Sequence, residues 1–311
     1  MTPVPGDRGR DCTVTGVRPV ADRIVEVRLE AADGGRLPRW TPGAHVDLVL
    51  PTGLTRPYSL AGDPTERSWR LLVARSPGAG ASAHVHDTLR AGDTVRVRGP
   101  RHLFPLGGGS RYLFLCSGAG IAPLLPMARM VRAARVYPWS LVHVDTSSRL
   151  LPLRAEVEEL GPTAWVVPTH ADGLTALEGL RRGTAVYAAG SSRFVDAVAE
   201  TAGADVAVHR QRFDAPARVS GPGRPYEVVL ARRGERIRVE PGTDLRTALH
   251  EAGADVPVSC GAGICGACVV PVLQGAVEHR DSVLTAGERT AGRRIVTCVS
   301  RAAGDRLVLD L

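Results

Sequence analysis

Cys260-Gly-Ala-Gly-Ile-Cys265-Gly-Ala-Cys268 places four and then two residues between its three cysteines, and Cys298 follows with 29 residues between it and Cys268. This is the C-x4-C-x2-C…C spacing of a plant-type [2Fe–2S] centre. A two-iron rhomb takes two thiolates per iron, and the chain must wrap closely around its inorganic sulfides. Gly261, Gly263 and Gly266 suit that task, because they permit unusual backbone angles and let N–H groups approach sulfur. A structural zinc site usually pairs two short C-x2-C hooks, and only one is present here. Cys260, Cys265, Cys268 and Cys298 are therefore the expected metal ligands. The other two cysteines, Cys12 and Cys116, read as small buried hydrophobes, although Cys116 ends a strand just before a Gly-rich turn.

The segment leading into this loop predicts a hairpin around Arg233-Gly234, from Tyr226–Ala231 to Arg236–Glu240. A helix over Asp244–Ala252 follows, with Thr243 as its N-cap. Strands, helix and cysteine loop together predict an α+β, β-grasp ferredoxin domain over residues 226–311. Residues 215–225, rich in Ala, Pro and Gly, read as a linker.

Upstream, short apolar strands alternate with helical patterns. The strands are Tyr112–Cys116, Leu141–Val144, Ala164–Val167, Ala185–Ala188 and Val206–His209; the helices are Leu124–Ala134, Leu153–Leu160 and Phe194–Ala202. Such alternation predicts a parallel α/β sheet over residues 107–214. Ser117-Gly118-Ala119-Gly120-Ile121-Ala122-Pro123 follows the first strand and opens a helix, the arrangement that turns backbone N–H groups toward a pyrophosphate. Pro123 stands where a third glycine would complete G-x-G-x-x-G, so by itself the stretch also reads as a tight βα turn.

Residues 1–106 carry many short, β-branched strands separated by Gly, Pro and Asp turns, including Arg23–Leu29, His45–Leu50, Trp69–Val73 and Thr94–Val97. They predict a small all-β barrel. Within it, Arg56-Pro57-Tyr58-Ser59 combines a phosphate-pairing cation, an aromatic ring and a hydroxyl. Alone, it also reads as a strand with one aromatic core residue. Further on, Gly78, Gly80 and Ser82 form a small-residue loop able to nest an anion.

Composition narrows the class. Among 311 residues, hydrophobic types make up 44% and charged types 23%, as in a globular protein. No run approaches the roughly 20 apolar residues of a membrane helix, and Met1–Arg10 lacks the apolar core of a secretory signal. A cytoplasmic protein that needs no membrane is expected. The net charge of +7 comes entirely from arginine, since the chain has no lysine. These arginines are scattered rather than striped, so nucleic acid is not an expected partner. The whole excess lies before Tyr226; the last 86 residues hold equal numbers of Arg and acidic residues.

Taken in order, the Arg-x-Tyr-Ser strand, the Gly/Ser loop, the Gly-x-Gly-Ile-x-Pro turn and the C-terminal cysteine spacing resemble the phthalate dioxygenase reductase family, which includes reductases of vanillate demethylases. Pro100–Leu106, Tyr187–Phe194, Gln211-Arg212-Phe213 and Asp281–Leu284 resemble further family segments. The resemblance implies an FMN barrel, an NAD domain and a ferredoxin domain in that order, in an NAD(P)H-dependent oxidoreductase. It implies FMN contacts from Arg56, Pro57, Tyr58, Ser59, Gly78, Gly80 and Ser82. Nucleotide contacts would come from Gly118, Gly120, Pro123, Asp145, Ser147, Arg149 and Gly190. Ser59 and Phe213 would stand at the site of hydride transfer, with no general acid or base required. Asp145 suits an unmodified ribose and hence NADH, whereas Ser147 and Arg149 suit the 2′-phosphate of NADPH. The implied acceptor is a terminal oxygenase of the Rieske type, served by a monomer. A haem-thiolate monooxygenase is the alternative acceptor, and a non-catalytic iron–sulfur redox sensor the alternative of another class. Two positions depart from the family: Ala189-Gly190-Ser191 replaces its Cys-Gly-Pro-like turn, and Gln211 replaces the Glu of its E-R-F segment.

Overall fold

The computed structural model describes residues 9–51, 53–76, 80–146, 152–203, 206–214, 223–257, 259–284 and 286–311. The chain divides into two compact units, Met1–Phe213 and Asp214–Leu311.

The first unit opens with β1 (Arg10–Ala21), β2 (Ile24–Ala31), β3 (Ala44–Val49), β4 (Thr55–Ser59), β5 (Trp69–Ala74), α1 (Ala81–Asp87) and β6 (Thr94–His102). The strands form one antiparallel sheet in the order β4-β3-β6-β1-β2-β5. A bridge between Leu60 and Leu71 joins its two edges and closes it into a barrel. Val14, Val27, Leu29, Val46, Leu48, Trp69 and Val97 fill the interior, and Val85 of α1 packs with them. Each such side chain contributes roughly 1.5–3 kcal/mol on full burial.

The chain then alternates: β7 (Arg111–Ser117), α2 (Ile121–Ala134), β8 (Trp139–Val144), α3 (Pro152–Glu158), β9 (Ala164–Val167), α4 (His170–Leu174), β10 (Thr184–Gly190), α5 (Ser192–Ala202) and β11 (Val208–Arg212). All five strands are parallel, in the order β11-β10-β7-β8-β9. The order reverses between β7 and β10, and open α/β sheets bind ligands at the carboxyl ends of strands beside such a reversal.

Barrel and parallel sheet are not independent bodies. Val20, Ala21, Ile24, Ala61 and Leu72 of the barrel share one buried cluster with Ile121, Leu125 and Met127 of α2. Beside it, buried Arg70 of β5 donates Nη1 and Nη2 to the Glu156 carboxylate of α3, both at 2.7 Å, and Nε to Glu26 of β2 at 2.5 Å. Arg129 of α2 donates to Glu156 at 2.6 Å. Burial alone would push the Glu26 carboxyl up. The hydrogen bond from Arg18 and the charges of Arg70 and Arg28 overcome it and hold Glu26 down to about 2.

The second unit contains β12 (Tyr226–Leu230), β13 (Glu235–Val239), α6 (Leu245–Glu251), β14 (Val269–Gln274), β15 (Val277–Glu278), α7 (Ala286–Ala291), β16 (Arg294–Val296), β17 (Arg301–Ala302) and β18 (Arg306–Leu309). Its main sheet runs β13-β12-β18-β14-β16, with β12 and β18 parallel and the other pairs antiparallel. Leu245, Ala248 and Leu249 of α6 pack on the sheet with Val228, Val270 and Leu307, giving the expected β-grasp.

Asp244, not Thr243, caps α6: its carboxylate accepts from the Thr247 N–H at 2.9 Å and from the Thr247 hydroxyl at 3.0 Å. A carboxylate one residue nearer the helix reaches the free N–H groups of its first turn, and its charge suits the helix N-terminus.

Candidate functional site

The cluster loop is built by sheet pairing as much as by spacing. Cys268 immediately precedes β14 and Thr297-Cys298 follows β16, and these strands pair at Val269 and Val296. Cys298 is thereby brought beside Cys268 despite the intervening residues, and both the N–H and the hydroxyl of Thr297 donate to Cys268 O at 3.2 Å. Cys265, Cys268 and Cys298 are buried and Cys260 is half-buried. Ala262 N donates to Cys260 Sγ at 3.3 Å.

The thiols interact as two pairs, Cys260 with Cys265 and Cys268 with Cys298. Within the first, the Cys265 thiol and the N–H groups of Ala262, Ile264 and Cys265 pull Cys260 down to about 5, while Cys265 is pushed up. Within the second, the Cys298 thiol and N–H and the Thr297 hydroxyl pull Cys268 down to about 7, while Cys298 is pushed up. One proton shared by two sulfurs produces this split. Two adjacent thiol pairs are the donor set of a two-iron rhomb. Among the described residues, no three His, Cys, Asp or Glu side chains converge on a single-ion site.

The loop backbone fits the same group. Gly261, Gly263 and Gly266 have φ of 62°, 71° and 64°, which only glycine adopts without strain. A Cβ at Gly263 would also lie 2.6 Å from Val299 Cγ2. The loop rests on residues 281–284: Gly263 O accepts from Ser282 N at 2.9 Å. Buried Asp281 accepts from Val283 N at 3.0 Å and Leu284 N at 2.8 Å.

In the first unit, Arg56, Pro57, Tyr58 and Ser59 all lie on β4. Tyr58 is half-buried against the barrel core, and burial pushes its phenol up to about 12. Arg56 is exposed and donates Nη1 to Thr55 O at 2.8 Å. Gly80 immediately precedes α1 and Ser82 lies in its first turn, where Ser82 Oγ accepts from Ser76 N at 3.1 Å. Gly78 lies outside the described residues, as do Ser147 and Arg149.

The carboxyl ends of β7 and β10 meet closely. Gly118, at φ 52°, begins a 3-10 turn ending at Gly120, and Pro123 lies in the first turn of α2. A Cβ on Gly120 would stand 2.1 Å from Ala189 O, so only glycine lets α2 start this near β10. Ser117 Oγ accepts from Ser191 N at 3.2 Å, and Gly190 O accepts from Phe213 N at 2.9 Å. Phe213 keeps 36% of its surface exposed. Asp145 stands at the end of neighbouring β8.

One contact joins the two halves of this unit at the predicted hydride-transfer position. Gln211 Nε2, from β11, donates to Ser59 Oγ of β4 at 3.3 Å. His45, paired with Ser59 in register, is buried; burial and the nearby Arg101 charge hold it down to about 4, and its Nε2 has no partner among the described residues. Sequence reasoning did not single out His45 or Gln211 as site residues. Their only signals were a histidine within a strand and an amide in place of the family's acid. Cys116 donates to Val142 O at 3.6 Å from the core, and burial raises its thiol well above the ordinary range. It is a packing residue, as Cys12 is in the barrel.

A closed barrel sharing a core with a switched parallel sheet, together with a β-grasp carrying two thiol pairs, defines a multidomain electron-transfer reductase. Residues 228–303 match the family described as the 2Fe-2S iron-sulfur cluster binding domain. The vanillate O-demethylase oxidoreductase of Pseudomonas sp. strain HR199 is 36% identical, over 96% of this chain and 98% of that protein. The solved phthalate dioxygenase reductase, described as a modular structure for electron transfer from pyridine nucleotides to [2Fe–2S], is 29% identical with a TM-score of 0.68; 98% of each chain is covered. An intact self-sufficient cytochrome P450 monooxygenase matches with a TM-score of 0.87 at 34% identity, over 97% of this chain but only 41% of that longer one. The chain belongs to the phthalate dioxygenase reductase family. It is an NAD(P)H-dependent flavin and iron–sulfur oxidoreductase that transfers electrons to an oxygenase. No helix among the described residues is long and apolar enough to cross a membrane.

Proposed function

We propose that this chain takes electrons from NADH, passes them through FMN to its [2Fe–2S] centre, and delivers them as a cytoplasmic monomer to a Rieske-type oxygenase. The observation that carries this reading is the Gln211–Ser59 contact, which brings the nucleotide half and the flavin strand together at one position. Residues 1–106 serve as the FMN half, 107–214 as the nucleotide half, 215–225 as the linker and 226–311 as the ferredoxin module. When bound, the nicotinamide, flavin and cluster supply hydride donation, two-to-one electron conversion and one-electron transfer.

The protein's own contribution is orientation. Tyr58 packs beside the flavin ring and Pro57 holds the strand between it and Arg56. Arg56 and Ser82, with Gly78 and Gly80, receive the FMN phosphate. Because Ser59 Oγ accepts from Gln211, its own proton is left to donate toward the flavin. Phe213 covers the place the nicotinamide takes. Gly118, Gly120, Pro123 and Gly190 shape the dinucleotide crevice, and Asp145 receives the adenosine ribose; Ser147 and Arg149 are the residue types that would suit a 2′-phosphate there. Cys260 and Cys265 hold one iron, Cys268 and Cys298 the other.

The test is a visible spectrum before and after anaerobic NADH, followed by reconstitution with candidate acceptors. Flavin and cluster bands that both bleach support the reading; a folded, colourless protein without affinity for FMN overturns it. A second acceptor has specific support: the similarity to a self-sufficient cytochrome P450 spans nearly this whole chain. Faster turnover with a haem-thiolate partner than with a Rieske oxygenase would select it.

A further inference from the structure

β8 carries a histidine where its neighbours Leu141, Val142 and Val144 are apolar core residues. His143 is wholly buried, and its Nε2 lies 3.0 Å from Gly118 O, the carbonyl that opens the turn after β7. A carbonyl only accepts, so the imidazole proton sits on Nε2. Nδ1 has no hydrogen-bond partner among the described residues. Burial holds the imidazole below its ordinary range, against the Gly118 hydrogen bond and the Asp145 charge, and keeps it neutral.

The direction of that hydrogen bond has a consequence for the turn. Across a trans peptide, the carbonyl and the following N–H point to opposite sides. Anchoring Gly118 O inward on His143 therefore turns the Ala119 N–H away from the strand. Gly118 can take this orientation because it has φ of 52°, and its carbonyl also accepts from Ile121 N. An outward N–H at the start of a long helix, beside the β7/β10 reversal, is a donor for an anion.

We propose that His143 is a positioning residue that locks the Gly118–Gly120 turn in its anion-binding form, for the pyrophosphate of an adenine dinucleotide. The inference rests on the reading that this turn receives NADH. His143 touches neither the dinucleotide nor the flavin; it acts through the Gly118 peptide. A clamp of this kind changes binding rather than chemistry, so its loss appears in KM and not in kcat.

The experiment measures the dissociation constant of ADP-ribose by calorimetry, and KM and kcat for NADH, on the full chain. His143→Leu is expected to weaken ADP-ribose and raise the NADH KM by about tenfold, the equivalent of one hydrogen bond. Its kcat at saturating NADH should stay within about twofold of the parent, on the ground that uniform binding alone is lost. His143→Gln, whose longer amide can reach Gly118 O, should recover most of the affinity; His143→Asn, which is shorter, should not. The two polar variants keep the test decisive where leucine disturbs folding. A leucine or asparagine variant that binds ADP-ribose like the parent overturns the proposal, as does a glutamine variant no better than asparagine. A parent chain that binds neither ADP-ribose nor NADH overturns the underlying nucleotide reading instead.

Discussion

The cluster loop and the flavin–nucleotide unit solve the same problem, holding a redox group still, in opposite ways. The loop draws three of its four sulfurs from nine consecutive residues, and glycines at positive φ bend the backbone around them. The other site is assembled from distant pieces. Ser59 and Gln211 are 152 residues apart, and Arg70 and Glu156 are 86 apart. A local site stands or falls with its ligands, whereas an assembled one depends on the packing between its parts.

The comparison breaks most sharply at the loop. Cys268→Ala removes one of two thiolates on an iron and is expected to abolish the cluster absorption and transfer to the oxygenase. NADH-dependent reduction of ferricyanide by the flavin should persist, because unit Met1–Phe213 has its own cores. Parallel loss of both activities in a folded variant would mean that the units do not function separately.

For the assembled site, the next largest effect belongs to Arg70→Met. Glu26 and Arg70 have side chains only 2% and 5% exposed. Removing the cation takes the buried partner from Glu26, which keeps Arg18 and Arg28, and leaves Glu156 with Arg129 alone; the expected cost is about 3 kcal/mol, the lower end for a broken buried pair. Denaturant unfolding followed by a barrel or nucleotide-domain probe measures it. Unchanged stability would mean that the shared apolar cluster alone holds the two halves.

The same carboxylate gives the assembled unit an acid limit. The Glu26 carboxyl is held at about 2 when folded, against about 4.5 when free. A depressed folded pKa stabilises the protein above the free value, and that contribution disappears as pH falls from about 4.5 to 2. Glu26→Gln should therefore be less stable at neutral pH yet decline less steeply across this window. Parallel pH curves for the two chains would refute the assignment.

This contrast also explains what the sequence could reveal. The cysteine spacing was legible because its chemistry is written in neighbours, and the strand–helix rhythm because burial imposes periods of 2 and 3.6 residues. The turn at Gly118 was visible as a glycine pair, but not the histidine that fixes it, since His143 reads as an interruption in an apolar strand. Arg70 and Glu156 looked like two charges among many. Nothing local says that a charge will be buried, and only the fold brings its partner within 2.7 Å.

The smallest effect returns to the ferredoxin module and asks how far its stability depends on details outside the loop. The Asp244 carboxylate accepts two hydrogen bonds from Thr247 at the start of α6, and Arg246 N of the same turn donates to Thr297 O at 3.1 Å. Asp244→Ala deletes the cap and is expected to cost this module about 1 kcal/mol. The barrel unit should unfold as before, so two-probe thermal unfolding can separate the effects. Since Thr297 also donates to Cys268 O, a loosened first turn should speed loss of the cluster to a chelator while leaving its spectrum unchanged. An altered spectrum would mean that the cap shapes the cluster itself, and the loop would then be less local than its nine residues suggest.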